Sequence, residues 1–117
     1  NGWIYLAYSD PLERDGQAVS LTKLVRGRLR DGAWVDQETI WQARPEHYRP
    51  GGGVHFGCRI AFDRDGYLYF TLGDRGRQDD AQDLRLPVGK VHRLHDDGRV
   101  PADNPFAGRA DAFATVW

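Results

Sequence analysis

HFGCRIAFDRDGYLYFTLGDRG occupies residues 55–76, and its pattern decides how the chain folds. Apolar and polar residues alternate on both sides of its centre, which is the spacing of two half-buried β-strands. Asp65-Gly66 separates the two runs, and Asp-Gly supplies the positive φ values that tight hairpin turns require. We therefore predict an antiparallel hairpin with strands at residues 58–63 and 67–72.

The rest of the chain shows the same period of two, and no segment has the 3.6-residue period of a convincing amphipathic helix. The proline- and glycine-rich residues 44–53 are predicted to form a loop, and residues 75–86 have room for only a short helical turn. The fold class is therefore all-β, an antiparallel meander. Its further strands are predicted at residues 3–9, 18–29, 33–43 and 90–94.

Asp-Gly pairs recur along the chain, each just before a strand-like run: Asp15-Gly16, Asp31-Gly32, Asp65-Gly66 and Asp97-Gly98. The later spacings fall a little short of the roughly 40–50 residues of a β-propeller blade. The repeat predicts about two blades, one over approximately 1–50 and one over 54–110, with 111–117 starting the next strand. A single antiparallel sandwich or sheet is the alternative. Open sheet edges would pair with missing blades or with copies of the chain.

Composition places the chain among ordinary globular proteins and sets limits on its partners. It has 117 residues, of which 40% are hydrophobic and 28% charged, and a formal net charge of −1. No basic stretch stands out for nucleic acid, and no apolar run approaches the roughly 20 residues that span a membrane. Met is absent, and both ends read as strands (WIYLAYS and AFATVW). We expect an internal segment of a longer protein.

His55 and Asp74 are the candidate catalytic residues. His55 precedes the first strand of the predicted hairpin, and Asp74 follows the second. In an antiparallel hairpin these two positions are neighbours, although they are far apart in sequence. An imidazole can take up a proton near neutral pH, and a carboxylate beside it can fix its tautomer. Alternatively, His55 is an ordinary loop histidine and Asp74 caps its own turn.

The other chemistry-bearing residues suggest no second site. Cys58, the only cysteine, rules out an internal disulfide, and in a strand it is expected to be buried and inert. His92 and His95 are predicted to face opposite sides, and His47 lies in the proline-rich loop, so a histidine-based metal site is not expected. DRDG and HDDG lack the further ligands of a calcium loop and read as turns. Arg75 and Arg77 flank Gly76 and could meet an anionic ligand, but solvated arginines are the commoner outcome in such a turn.

Several ordered motifs resemble the soluble aldose sugar dehydrogenases that use pyrroloquinoline quinone, in the glucose/sorbosone dehydrogenase family. They are the stretch at residues 55–76, then AQD, GKVHRL, DDG and VPADNPF. The opening NGWIYLAYS is similar to the family's preceding blade, so the resemblance covers nearly the whole chain.

The resemblance implies a six-bladed β-propeller with the quinone in a cleft at the top of its channel. It implies oxidation of an aldose sugar at C1 to a lactone, with hydride passing to the quinone, in a periplasmic or secreted enzyme that also holds calcium. The histidine of the family's HxGGR motif removes the hydroxyl proton, and this position is His55. The acid of its GDxG motif supports the histidine, and this position is Asp74.

Two departures from the family pattern affect these expectations. Cys58 stands where the family usually has glycine, and a thiol there would crowd the strand next to His55. The chain also ends at ATVW, where family members continue into a GHRNP-like motif and later blades that supply cations and calcium ligands. Burying a tricarboxylate quinone without cationic partners is costly. We expect this chain alone to bind no cofactor and to be inactive.

Three other functions fit parts of the pattern. A propeller lactonase would need metal-binding carboxylates that converge on the channel, and the sequence shows no clear set. A non-catalytic propeller module would bind a partner or a glycan, for example through exposed Tyr48 or Phe106. Three copies of a two-bladed chain would also complete a six-bladed ring.

Overall fold

A computed structural model describes residues 2–51 and 53–117. Asn1, in the predicted first blade, and Gly52, in the predicted loop, lie outside the described residues. Short 3-10 turns cover Pro45–His47 and Gln78–Gln82, and the described residues contain no α-helix and no helix able to cross a membrane. The strands are β1 (Ile4–Arg14), β2 (Gln17–Arg30), β3 (Ala33–Trp41), β4 (Arg49–Pro50), β5 (Gly57–Phe62), β6 (Leu68–Leu72) and β7 (Lys90–Leu94).

The first sheet is an antiparallel meander in the order β1-β2-β3. Its two hairpins close through two-residue turns, Asp15-Gly16 and Asp31-Gly32, in which all four residues have positive φ. This backbone is the one that matches the twist of paired strands, and it is why Asp-Gly occurs there. The prediction of hairpin turns at these two pairs is confirmed.

Two predictions about the first sheet were wrong. β1 continues five residues beyond the predicted end, to Arg14, and includes Pro11 opposite Ser20. Because β1 is an edge strand among the described residues, the missing N–H of Pro11 need not interrupt its pairing. In the predicted loop, Arg49–Pro50 forms β4 and pairs with β2, next to the buried Tyr48.

The second sheet has the order β5-β6-β7, and the predicted hairpin forms its first pair. Asp63 closes this hairpin because its Oδ1 accepts the N–H groups of Asp65 and Tyr67. Residues 115–117 lie along the far side of β7, where Thr115 accepts a hydrogen bond from the Arg93 N–H.

The prediction that Asp97-Gly98 leads into a strand was wrong. The pair lies within a turn closed by the His95 N–H bond to Arg99, and no described strand follows it. A Cβ at Gly98 would lie 2.5 Å from the Ile40 carbonyl oxygen, so this turn packs directly on β3. The close packing, rather than a hairpin, requires glycine there.

One hydrophobic core joins the two sheets. The Trp41 ring of β3 lies 5.2 Å from the Phe70 ring of β6 and 5.4 Å from the His92 ring of β7, between centroids. Buried side chains from both sheets surround them: Val19, Leu21, Leu24, Ile40, Ala43, Tyr48, Leu68, Leu72, Val88 and Leu94. The end of the β5–β6 hairpin that carries the candidate residues is therefore supported by the first sheet.

Candidate active site

His55 and Asp74 lie together at the open end of the β5–β6 hairpin. The His55 Nδ1 atom is 2.6 Å from Asp74 Oδ1. The His55 side chain is 55% exposed, whereas Asp74 is only 19% exposed. The geometric part of the prediction, that antiparallel pairing makes these residues neighbours, is confirmed.

The hydrogen bond between them determines the tautomer of the imidazole. An ionised carboxylate can only accept, so the proton of this bond belongs to His55 Nδ1. In the neutral imidazole, Nε2 then carries the lone pair. The ring thus presents a proton acceptor on the side away from Asp74.

Asp74 is held as an anion by its own turn. Its Oδ1 accepts the Gly76 N–H at 2.8 Å as well as the His55 proton. The Gly76 bond and then the His55 bond keep the pKa of Asp74 below its usual value. The hydrogen bond to His55 and the bond that closes the turn therefore occur together in one carboxylate.

Glycine allows the two chain segments to cross closely at this end. A Cβ on Gly73 would lie 1.8 Å from the His55 carbonyl oxygen, and one on Gly57 would lie 2.5 Å from the Gly73 nitrogen. The crossing is joined by hydrogen bonds from the Gly73 N–H to the Phe56 carbonyl and from the Arg75 N–H to the His55 carbonyl. A side chain at either glycine would push His55 away from Asp74.

Left-handed backbone is concentrated around the pair. His55, Cys58 and Arg75 have φ values of 53°, 93° and 58°. Such values are uncommon for residues with a Cβ, and they persist where the surrounding structure enforces them. They mark this hairpin end as the part of the second sheet under most backbone strain.

Thr71 supports the irregular part of β5, and sequence reasoning missed it. The register between β5 and β6 shifts between Gly57 and Ile60, which is a β-bulge. The Thr71 hydroxyl oxygen accepts the N–H groups of Cys58 and Arg59, both at 3.1 Å. No local signal identifies this role, because threonine is a common strand residue.

Arg75 was predicted to be solvated, and this was wrong. It is 8% exposed and donates to the carbonyl oxygen of Ser20 at 3.4 Å and to its hydroxyl at 3.0 Å. Its guanidinium also lies 4.1 Å from the centre of the Phe56 ring. The positive φ turns its side chain toward β2 of the first sheet, which cannot be read from the local sequence.

Cys58 is half-buried in the bulge directly after Gly57. Burial raises the pKa of its thiol, and hydrogen bonding to Thr22 only partly opposes this. The thiolate is thus disfavoured, whereas the predicted burial of Cys58 is only partial.

The remaining histidines lie outside this arrangement. His92 is fully buried, with Nδ1 bonded to the Thr115 hydroxyl and Nε2 to the Pro87 carbonyl, each at 2.8 Å. The His47 ring packs on Phe113 at 5.0 Å between centroids. Both are packing residues in the described structure.

The suggestion of Tyr48 as an exposed binding aromatic was wrong. Its side chain is 1% exposed, and its hydroxyl donates to Asp10. It is buried because β4, which follows it, pairs with β2 and draws the segment onto the core. Phe106 is half-buried, with Arg109 above its ring.

A polar cleft begins beside the pair. It has a volume of about 410 Å³ and is lined by Gly76, Arg77, Gln78, Asp79 and Asp80. Asp80 is held by Arg49 of β4 at 2.9 Å. The cleft places amide, guanidinium and carboxylate groups next to the turn formed by Asp74 and Gly76.

Comparison with known proteins agrees with this architecture. The aldose sugar dehydrogenase YliI of Escherichia coli (strain K12) is 39% identical over 97% of this chain and 30% of its own length. A crystal structure of glucose dehydrogenase superposes with a TM-score of 0.85 at 34% identity, over 98% of this chain and 32% of that chain. The fold-class prediction, an antiparallel meander forming about two blades of a six-bladed β-propeller, is confirmed.

A more distant solved structure is that of a quinone-bound relative. The PQQ-bound form of aldose sugar dehydrogenase from Streptomyces coelicolor superposes with a TM-score of 0.63 at 25% identity, over 86% of this chain and 30% of that chain. The chain thus spans about a third of the length of the solved structures that it matches. The family model described as glucose/sorbosone dehydrogenase matches residues 1–117, and the chain belongs to that family.

Proposed function

We propose that this chain is part of an enzyme that oxidises aldose sugars at C1 to lactones with pyrroloquinoline quinone as the hydride acceptor. The observation that carries the proposal is the His55–Asp74 hydrogen bond of 2.6 Å in a chain of this family. His55 acts as the general base, and Asp74 orients it.

The chemistry requires a base at the sugar hydroxyl. When hydride leaves C1, positive character develops there, and loss of the hydroxyl proton to His55 Nε2 relieves it. The C1–O single bond becomes the lactone carbonyl as the C–H and O–H bonds break. In the complete protein, a bound quinone would supply the acceptor for the two electrons and the hydrogen that leave as hydride.

The described residues do not complete a site for the cofactor. The Arg75 guanidinium points away to Ser20, and Arg77 pairs with Asp80 at 3.4 Å, so neither stands free to meet a quinone carboxylate. No three His, Cys, Asp or Glu side chains within residues 2–51 and 53–117 converge as a calcium site. We therefore assign the proton step to this chain and the rest of the cofactor site to other parts of the complete protein.

The cleft beside Gly76 supports a sugar as the ligand. Gln78 and Asp79 line it with donors and acceptors suited to hydroxyl groups. The expected location of the complete protein is the periplasm or the outside of the cell.

The test is quinone-dependent aldose oxidation by the complete protein with calcium and an artificial electron acceptor. Replacing His55 with alanine should lower kcat by about 10² or more, the usual contribution of a general base, and Asp74→Asn should lower it less. His95→Ala is the matched control, because His95 packs on Tyr67 away from the pair. Product analysis should find the lactone or its aldonic acid.

Unchanged turnover in the His55→Ala variant would contradict the assignment of the base. The isolated chain should show no activity under the same conditions. Activity in the isolated chain would mean that its copies assemble a working site.

A further inference from the structure

We propose that Arg75 is a positioning residue that holds the His55–Asp74 pair by bracing both segments of the hairpin end against β2. This inference rests on the function proposed above. It concerns a side chain whose hydrogen bonds go to Ser20 of the first sheet.

Arg75 connects the site to the first sheet. It directly follows Asp74, and its two terminal nitrogens reach the carbonyl and hydroxyl oxygens of Ser20 at 3.4 and 3.0 Å. Ser20 belongs to β2, whose neighbours Val19 and Leu21 lie in the shared core. The segment carrying Asp74 is therefore attached to a strand that is packed on both sides of the attachment.

The same residue also holds the segment that carries His55. Its guanidinium stacks on Phe56, the residue after His55, at 4.1 Å from the ring centre. Its backbone N–H donates to the His55 carbonyl at 3.3 Å. The backbone bond remains when the side chain is replaced, whereas the side-chain contacts with Ser20 and Phe56 are those that a substitution can remove. Loss of the bonds to Ser20 should let the two segments move relative to β2.

The charge of Arg75 is poorly suited to stabilising the fold alone. Among the described residues it has no carboxylate partner, and its buried Nε has no hydrogen-bond partner. Burial accordingly lowers its pKa. Burying the Arg75 guanidinium without a carboxylate costs desolvation free energy. Its presence is better explained by the fixed planar geometry of its hydrogen-bond donors than by a gain in folding stability.

The experiment compares Arg75→Met with the wild-type complete protein. Methionine keeps an unbranched apolar stem over Phe56 but removes every donor to Ser20. The main measurement is the ¹⁵N chemical shifts of the His55 ring, which distinguish a proton fixed on Nδ1 from a mixture of tautomers. We expect the wild type to show the fixed form and Arg75→Met to show a mixture.

Turnover provides the second measurement. Arg75→Met should lower kcat about tenfold and change KM by less than about twofold, because orientation of the base is lost and not the binding of the sugar. Arg64→Met is the matched control, since Arg64 is exposed at the opposite end of the same hairpin. It should leave both the ring shifts and kcat unchanged.

The two proposals can fail separately. A folded Arg75→Met protein with wild-type ring shifts would overturn the positioning role, whatever its activity. If the wild type oxidises no aldose but the Arg75→Met variant still shows a mixture of His55 tautomers, the proposed function fails and the positioning role stands. If Arg75→Met does not fold, Ser20→Ala decides: it removes only the hydroxyl acceptor, and ring shifts identical to wild type would overturn the brace.

Discussion

At the scale of single residues, Cys58 shows how the chain departs from a preferred backbone. Its φ of 93° lies beyond the small left-handed region open to residues with a Cβ. The two hydrogen bonds to Thr71 and the crossing at Gly57 and Gly73 enforce this geometry. The strain at Cys58 is therefore a local cost of holding the bulge beside His55.

Comparing Cys58→Gly with Cys58→Ala isolates this strain. Both variants lose the same thiol contacts, but only glycine relieves the backbone strain of the positive φ at residue 58. We expect the glycine variant to have a free energy of unfolding about 1 kcal/mol higher than the alanine variant, the reverse of the usual order in a strand. Denaturant unfolding of both proteins measures the difference, and alanine being equal or better would contradict the strain.

His92 is a buried imidazole whose neutrality the fold requires. Burial is the main cause that lowers its pKa to about 4, and the Pro87 carbonyl only partly offsets it. The unfolded chain takes up this proton near the ordinary histidine value, about 6.5. Between these values the unfolded state binds more protons, so stability is lost as the pH falls through this window.

His92→Gln tests this linkage, because glutamine does not titrate. From pH 7 to pH 4 the wild type should lose up to about 3 kcal/mol more unfolding free energy than the variant. At pH 7 the variant itself should be the less stable protein, since it loses the stacking on Phe70. Parallel stability profiles for the two proteins would exclude His92 as the acid-sensitive group.

At this scale the sequence predicted that His55 and Asp74 are neighbours, but not which residues support them. His55 and Asp74 could be paired because antiparallel hairpin geometry makes strand ends neighbours. Arg75 and Thr71 could not be identified, because their roles depend on a bulge and on contact with β2. The bulge and the contact with β2 depend on tertiary packing, which a local sequence pattern does not predict.

At the scale of elements, the bulge in β5 is the feature that shapes the site. It leaves the N–H groups of Cys58 and Arg59 without regular ladder partners, and the Thr71 hydroxyl takes both. A side chain thus replaces backbone pairing at the point where the strand bends.

Thr71→Val should remove this substitute acceptor with little change in shape. Two donors would lose their partner, and we expect about 1–2 kcal/mol of destabilisation. Thr71→Ser keeps the hydroxyl and should cost less than about 1 kcal/mol. Thermal or denaturant unfolding measures both, and a Thr71→Val variant as stable as the wild type, or more stable than Thr71→Ser, would contradict the role of the hydroxyl.

Most strands could be predicted from the period of two and the Asp-Gly turns. β7 agrees at both ends, while β1 runs on through Pro11 because an edge strand tolerates a missing donor. β4 could not be foreseen, since a two-residue strand in a proline-rich segment has no periodicity. The strand predicted after Asp97-Gly98 is absent from the described residues, because this glycine is needed for close packing on β3 and not for a hairpin turn.

At the scale of the whole molecule, the two sheets share one core and are expected to unfold together. Trp41 is central, because it contacts Phe70 and His92 across the sheet boundary. Trp41→Ala should cost about 3–5 kcal/mol. In the Trp41→Ala variant, hydrogen exchange should show that the amides of β6 and β7 lose protection together with those of β2. Loss confined to the first sheet would mean that the sheets are independently stable.

The contacts that join the sheets have a further consequence for how the protein is made. The long strands of each sheet pair with their sequence neighbours. In contrast, the Arg75–Ser20 bond joins residues 55 positions apart and the Tyr5–Asp96 bond joins residues 91 apart. Local pairings form quickly, and long-range contacts form late. Because synthesis proceeds from the N-terminus, β1 to β3 leave the ribosome before the β5–β6 hairpin. We expect the nascent first sheet to serve as the template on which the later hairpin acquires its geometry.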